Sequence, residues 1–246
     1  MRNPRRHAQT TPWSPLRDPD DELTARLQLG WDQLFPLVDA FDGPKLVSTP
    51  DLLADVPGAI WLPVVVDLDV WGTDQPVMQR AVPIVLHAPS RASIKGTAYV
   101  EDAMRMLSAE GLVDYRQIEG LAPADMPSQL AQADIVLDQF SLGSYGVLAA
   151  QAMAAGRVVV GHVTQEVRSL CPAGLPIVEA TPDHIVEVIR GLLTDRDVAV
   201  ASAHAARRYV ADVHSGERSA QVLTAALGLR GTDPPGVQPT DAVLLK

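Results

Sequence analysis

The sequence predicts an α/β fold, a Rossmann-like parallel sheet with helices on both faces. Short apolar runs alternate with amphipathic segments from about residue 21 to residue 228. These runs are continuously apolar, which is typical of strands covered on both faces. No internal repeat or heptad pattern indicates a solenoid or a coiled coil. Together these observations favour a doubly wound sheet over an all-helical or all-β fold.

Seven segments have the composition of strands. Most are runs of three or more apolar residues, rich in valine or isoleucine and bounded by proline, glycine or polar residues. The segment around Tyr115 is the weakest, because it carries arginine and glutamine. The strands are expected at residues 45–49, 59–66, 83–87, 115–118, 133–138, 157–161 and 175–178.

Seven further segments have helical spacing. In one of them Val100, Ala103, Met104 and Leu107 recur every three or four residues, which places them on one buried face. Thr181 precedes a proline, a capping residue followed by the residue favoured at the first helical position. The helices are expected at residues 21–41, 97–110, 126–133, 145–155, 182–194, 196–213 and 216–228.

The two ends of the chain differ in composition from its centre. Residues 1–20 contain four prolines, and we expect an extended or disordered arm there. Residues 229–246 have a similar composition and are expected to form a disordered tail. Four apolar residues of the first expected helix are expected to be partly exposed or paired with another chain: Trp31, Leu34, Phe35 and Leu37.

Composition excludes several classes of function. The chain has 246 residues and a net charge of −10, which argues against sequence-independent binding of nucleic acid. Cys171 is the only cysteine, so an internal disulfide or a thiolate zinc site is excluded. No apolar run reaches the roughly 18–20 residues that span a bilayer. The basic start is followed by a polar, proline-broken stretch at residues 9–19, so we expect no secretory signal. We therefore expect a cytoplasmic protein with no transmembrane segment and no bound metal.

The first candidate loop is residues 87–97, between an expected strand and a helix. Ligands of parallel sheets bind outside the carboxyl ends of the strands. Arg91 and Lys95 would lie there beside a helix N-terminus, a combination that suits phosphate groups. The alternative is a solvated turn in which Gly96 only eases the bend.

The second candidate loop is residues 138–146. Gly143 and Gly146 would allow backbone amides to approach a ligand, and Ser144 could cap the following helix or contact phosphate. Gln151 is a polar residue in a helix of small apolar residues, so it either contacts ligand or bonds to backbone. Asp138, at the strand end, could orient a ligand or cap a turn.

Other motifs are absent or open to two interpretations. His87 and His162 follow strands, and each is either a ligand contact or a core histidine. The sequence has no G-x-G-x-x-G fingerprint, no P-loop, no H-x3-H pair and no G-x-S-x-G elbow. An NAD-dependent doubly wound enzyme is therefore disfavoured.

A family resemblance adds to these observations. The segments Lys95-Gly96, Glu119-Gly120, Ala133–Leu137 and Gly143–Val160 resemble the C-terminal, donor-binding domain of GT-B glycosyltransferases. The retaining family four, or "group 1", is the most similar. The resemblance covers roughly residues 45–228, and its most specific part is the Ser-Tyr-Gly helix that ends in Ala-Met-Ala-Ala-Gly before a valine strand.

The resemblance implies where a nucleotide-diphosphate sugar would bind. Arg and Lys of the first loop hold the diphosphate, the glycine turn holds phosphate and sugar, and the base packs near the Glu119 turn. The implied donor-binding residues are Arg91, Lys95, Gly96, Glu119, Gly120, Leu121, Gly143, Ser144, Tyr145, Gly146, Val147 and Gln151. Two glutamates of the family are replaced here by Gly143 and Gln151, so we expect restored glutamates to tighten donor binding.

The resemblance also implies a domain plan. Residues 21–80 match a remnant of the N-terminal domain with the interdomain connector, and residues 81–228 match the donor domain. The acceptor site and the family's catalytic histidine belong to the part that has no match here, so a partner N-terminal domain or a homo-oligomer is implied. The expected function is a glycosyltransferase or its donor-binding half, with no cofactor besides the donor. The alternative is a non-catalytic nucleotide-sugar binding module or a truncated inactive homologue.

Overall fold

The computed structural model describes residues 2–172 and 174–229, so most of the tail expected at 229–246 lies outside the described residues. The helices are α1 Pro4–Thr10, α2 Glu22–Asp39, α3 Leu68–Trp71, α4 Ala92–Lys95, α5 Thr97–Ala109, α6 Met126–Gln132, α7 Val147–Ala154, α8 Gln165–Leu170, α9 Ile185–Thr194, α10 Arg196–Val213 and α11 Gly216–Ala226. The strands are β1 Leu46–Val47, β2 Ile60–Trp61, β3 Ile84–His87, β4 Asp114–Gln117, β5 Ile135–Leu137, β6 Val158–Gly161 and β7 Ile177–Glu179.

The main sheet confirms the predicted fold class. Its strands are all parallel, in the order β4-β3-β5-β6-β7. Val85 packs with α5 and α9 on one face, and the next residue, Leu86, packs with α7 and α10 on the other. Strand order reverses direction at β3 and β5, so the crevice for a ligand lies at the carboxyl ends of these two strands.

A second, two-stranded parallel sheet is formed by β1 and β2. The strand expected at 59–66 is much shorter, because its continuation bonds to the C-terminal helices instead. His214 donates to Val64 O over 2.9 Å, Val66 N donates to His214 O over 2.9 Å, and Ser219 donates to Pro63 O over 2.7 Å. These bonds attach the segment after β2 to α10 and α11.

The prediction of an extended or disordered arm at residues 1–20 is wrong for most of that segment. Pro4 is the first residue of α1, and Pro15 is the first residue of a 3-10 turn, Pro15–Arg17. Both prolines therefore start helical turns, where their missing N–H costs nothing. His7 and Leu16 are buried, so this segment packs on the rest of the protein.

Helix α2 leaves an apolar surface uncovered. Leu37 is 70% exposed and Leu34 is also exposed, as the sequence predicts, and Phe41 is exposed as well. Trp31 differs from the expectation, since it is buried and stacks on Phe35 with ring centroids 4.5 Å apart. Within the described residues, no helix is long and apolar enough to cross a membrane.

Candidate functional site

The two candidate loops meet at the carboxyl ends of β3 and β5. Lys95 Nζ lies 2.5 Å from Asp138 Oδ1, and Gly146 N donates to Asp138 Oδ2 over 2.9 Å. Asp138 is 1% exposed, so its carboxylate is a buried link between the loops. A Cβ at position 146 would lie 3.1 Å from Lys95 Nζ, so the backbone of Gly146 closely approaches the ammonium group. The sequence-predicted Lys95 and Gly146 are thus brought together at the switch point of the sheet.

The N-terminus of α7 is open at this edge. Gly146 is its N-cap and supplies no side-chain cap, so the first amides of the helix are not covered by a capping group. Val147 is 50% exposed, and Gln151, one turn below on the same side of the helix, is half-buried. Arg91, the N-cap of α4, is exposed. Two cations and free helix amides at one edge are chemically suited to an anion.

Position 143 has no room for a side chain. Gly143 has a φ of +69°, and a Cβ there would lie 2.5 Å from the methyl of Thr164 and 2.9 Å from that of Thr11. Thr11 is held in place because its hydroxyl donates to Ser141 O over 2.5 Å. The expectation that a glutamate restored at 143 tightens donor binding therefore conflicts with the packing.

The hydroxyl groups of the glycine turn have partners within the chain. Ser144 donates to Asp51 Oδ1 over 2.8 Å, and both residues are buried. Tyr145 is also buried, and its hydroxyl donates to His214 Nε2 over 3.1 Å. These two residues fix the turn to the segment after β1 and to the end of α10, while their role toward a donor stays a prediction.

The turn after β4 lies beside a cavity whose lining also includes Gly96, the residue after Lys95. Glu119 is exposed and accepts a hydrogen bond of 3.0 Å from Gln117, Gly120 has a φ of +66°, and Leu121 is half-buried. The cavity has a volume of about 460 Å³. Of the sequence-predicted donor residues, Gly96 and Glu119 belong to its lining, which consists of Pro12, Trp13, Ser14, Pro15, Ala92, Ser93, Gly96, Thr97, Ala98, Tyr99, Glu101, Glu119 and Ser141.

His87 has the surroundings of a core histidine. It is fully buried, its Nδ1–H donates to Leu137 O over 2.8 Å, and Thr97 donates to its Nε2 over 3.0 Å. Burial lowers its pKa below the ordinary value, so the ring is neutral. The imidazole thus joins β3 to β5 and to the start of α5.

His162 directly follows β6, and the carboxylate of Glu179, the last residue of β7, holds its ring in place. Its Nδ1–H donates to Glu179 Oε1 over 2.6 Å, and Glu179 also accepts from Val163 N and Arg168. Burial alone would raise the pKa of the Glu179 carboxyl group. The hydrogen bonds outweigh this effect and hold its pKa below the usual range. Trp13 packs edge-on against the His162 ring, with centroids 5.4 Å apart.

Sequence reasoning missed the N-terminal residues at this edge. Thr11 covers the glycine turn and Trp13 lines the cavity, yet both belong to the segment expected to be disordered. The signal that could have found them is the spacing of Pro4 and Pro15, each preceded by a capping residue. For the described residues, no group of three His, Cys, Asp or Glu side chains is placed to hold a metal ion.

Solved structures share this fold, while no family model and no curated protein matches the sequence. HepE of Anabaena, solved with UDP-glucose, has a TM-score of 0.61 at 14% identity, over 88% of this chain and 71% of HepE. WaaG, a glycosyltransferase involved in lipopolysaccharide biosynthesis, has a TM-score of 0.58 at 17% identity, over 85% and 69%. TarM of S. aureus has a TM-score of 0.63 at 12% identity, over 80% and 46%.

These likenesses define the class of fold. The chain has the fold of part of a GT-B glycosyltransferase, with a Rossmann-like half that contains the β3–β7 sheet. At these identities the likeness concerns the fold, and the chain spans less than half of TarM.

Proposed function

We propose that this chain binds a nucleotide-diphosphate sugar at the edge formed by α4 and α7, as a glycosyltransferase or its donor-binding half. The observation that carries the proposal is the meeting of Lys95 with the open N-terminus of α7 at the switch point of the sheet. A fold neighbour solved with UDP-glucose supports the ligand class.

In this proposal each group has a distinct role. Arg91 offers a forked guanidinium and Lys95 a compact charge to the two phosphates. The first amides of α7, from Val147 onward, complete the phosphate site. Gln151 donates to or accepts from the ribose hydroxyls, and the turn at Glu119–Leu121 packs near the base.

Asp138 affects how strongly the proposed phosphate site binds an anion. Its carboxylate takes one N–H of the Lys95 ammonium and the N–H of Gly146, so two ammonium donors remain for a phosphate. The carboxylate fixes both donors in position, but its charge also opposes an incoming anion. We therefore expect moderate affinity for a diphosphate.

A second candidate function is non-catalytic binding of the nucleotide sugar. It is favoured by the packing at Gly143, where the methyls of Thr11 and Thr164 fill the space that an acidic side chain would need. Without a carboxylate beside the transferring sugar, charge that develops there is stabilised less. In either case, holding an acceptor requires a partner, an N-terminal domain or another copy of the chain. The exposed α2 surface and the two-stranded β1–β2 sheet are the proposed contact region.

Titration calorimetry tests the ligand class. UDP, GDP and ADP are titrated into the purified chain and into the Lys95→Ala variant, with Lys45→Ala as a matched control outside the site. Because charge-assisted hydrogen bonds contribute roughly 1.5–3 kcal/mol, Lys95→Ala should weaken binding by about tenfold or more. Absence of binding by the parent chain, or equal binding by Lys95→Ala, contradicts the proposal.

A further inference from the structure

A small cavity lies at the end of the main sheet opposite to the two candidate loops. Residues 73–77, which follow α3, form one side of it, and one face of α10 forms the other. Arg157 also lines it and directly precedes β6, so the cavity lies at the amino end of that strand. None of its described lining residues belongs to the candidate site. Its volume of about 250 Å³ is below the roughly 300–1,000 Å³ of drug-sized sites, which favours a small ion over a nucleotide.

Arg157 brings a buried positive charge to this cavity. It is 2% exposed, and its guanidinium donates to four backbone carbonyl groups, those of Gln75, Pro76, Ala133 and Ala155. The pKa of Arg157 is lowered to about 10 by burial and by the charges of Arg80 and Arg207, against the opposing charge of Asp134. The surroundings of this guanidinium are therefore short of negative charge, and a bound anion would stabilise its charged form.

The carboxylates near Arg157 leave the cavity with an excess of positive charge. Asp134 is fully buried and already accepts from Arg80 over 3.0 Å and from two backbone N–H groups. Asp74 is fully exposed, and its Oδ1 lies 3.6 Å from Nη1 of Arg207, so water screens much of its charge. The cavity is therefore a local cationic site in a chain whose net charge is −10.

Hydrogen-bond donors without acceptors surround the cavity. Arg207 and His204 lie three positions apart on the same face of α10, and both line it. Within the described residues, the one hydrogen bond of Arg207 runs from Nη1 to Thr73 O over 3.3 Å, which leaves its Nε and Nη2 groups to donate. The Thr73 hydroxyl accepts from Gln75 N over 3.1 Å, so its own proton remains available. A guanidinium with two such groups matches the paired oxygens of a phosphate.

We propose that this cavity binds a phosphate group, either as free inorganic phosphate or as part of a small phosphomonoester. Arg157 and Arg207 supply the positive charge, and the Thr73 hydroxyl and the His204 imidazole supply further donors. A purely structural role explains the carbonyl contacts of Arg157, but it does not explain why the donors of Arg207 and Thr73 face a cavity. The site is independent of the proposed donor site, because the two lie at opposite ends of β6 and its neighbouring strands.

NMR titration with inorganic phosphate and with glycerol 3-phosphate, at constant pH and ionic strength, tests the site. The reporter is the Cε1–H resonance of His204, assigned as the signal that His204→Gln removes. It should shift saturably with at least one probe, and the probe that binds more tightly identifies free phosphate or a phosphomonoester as the ligand. Arg207→Gln should weaken binding by about tenfold, the size expected for a lost charge-assisted hydrogen bond. Arg208→Gln, an exposed neighbour outside the lining, is the matched control and should bind as the parent chain does.

Two further variants keep the test decisive. Asp74→Asn removes the exposed carboxylate of the lining, so it should fold normally and tighten phosphate binding by about twofold to fivefold. Lys95→Ala should leave the His204 shift unchanged, which separates this site from the proposed donor site. The inference is overturned if neither probe shifts the resonance saturably, if chloride at equal ionic strength gives the same shift, or if Lys95→Ala abolishes it. It is also overturned if folded Arg207→Gln binds as tightly as the parent chain, or if Asp74→Asn fails to tighten binding.

Discussion

Ser144 donates a hydrogen bond of 2.8 Å to Asp51, across 93 positions of sequence. The bond joins the glycine turn of the donor half to the 3-10 turn Pro50–Ala54. The same acidic turn holds the N-terminal helix, because Arg6 Nε lies 2.6 Å from Asp55 Oδ1 and His7 Nε2 lies 3.0 Å from Asp55 Oδ2. The N-terminal segment, this turn and the candidate site therefore form one connected polar network.

Replacing Asp51 should destabilise the whole chain. Asp51→Ala removes the carboxylate that accepts from the Ser144 hydroxyl and pairs with the Arg2 guanidinium. Both groups then lose this partner in a largely buried region. Breaking a buried pair in this way costs about 3–5 kcal/mol. Urea unfolding of Asp51→Ala should show a lower midpoint, with the exposed Asp42→Ala as control. Equal midpoints for both variants would show that the network contributes nothing to stability.

A glutamate at position 143 should destabilise the chain and should not improve donor binding. The residue would keep a φ of +69° and place its Cβ against Thr11 and Thr164, which costs roughly 1–3 kcal/mol for overpacking beyond the backbone strain. Gly111→Glu is the matched control, since Gly111 has a φ of +70° but nothing within 4 Å of an added Cβ. Calorimetric melting should give a lower Tm for Gly143→Glu than for Gly111→Glu. An equal or higher Tm contradicts the described packing.

Asp138→Asn should tighten the binding of nucleoside diphosphates. The asparagine oxygen still accepts from Gly146 N, but the negative charge that pairs with Lys95 is gone. Removal of a like charge beside the phosphates should increase affinity for UDP by about tenfold, or about 1.4 kcal/mol. Calorimetry measures this, with the exposed Asp125→Asn as control. Weaker binding would instead make Asp138 a residue that the phosphate site needs in its charged form.

Stability should fall as the solution is acidified from pH 7 to pH 5. Burial lowers the pKa of His7, His87 and His214 below the ordinary value of about 6.5. The unfolded chain thus binds protons that the folded chain does not, and the free energy of unfolding decreases below pH 6.5. Urea unfolding at several pH values measures the slope, and His87→Gln should make it shallower. A free energy of unfolding that is constant or rises toward pH 5 contradicts neutral buried histidines.

The sequence predicts the structure best where a segment's apolar pattern matches the residues that the fold buries. The strand at Ile84–His87, the helix at Thr97–Ala109 and the placement of Lys95 beside Gly146 all follow from apolar runs and from the geometry of parallel sheets. These features depend on residues near one another in sequence or on a general rule of topology.

Features that depend on distant contacts were not predictable in this way. The ordered N-terminal segment depends on Asp51 and Asp55, which lie more than 40 positions away from Arg6. The partners of Ser144 and Tyr145 lie 93 and 69 positions away, so nothing in the local sequence distinguishes them from phosphate contacts. The four prolines of residues 1–20 indicate disorder by composition alone, whereas in the structure Pro4 starts a helix.

A crystal structure of the chain soaked with UDP would show directly where the diphosphate binds. Our prediction is density for the diphosphate within hydrogen-bonding distance of Lys95 Nζ and of the first amides of α7, with Arg91 turned toward it. Density for the diphosphate in the cavity lined by Trp13 and Glu101, with the edge at Lys95 empty, would contradict it.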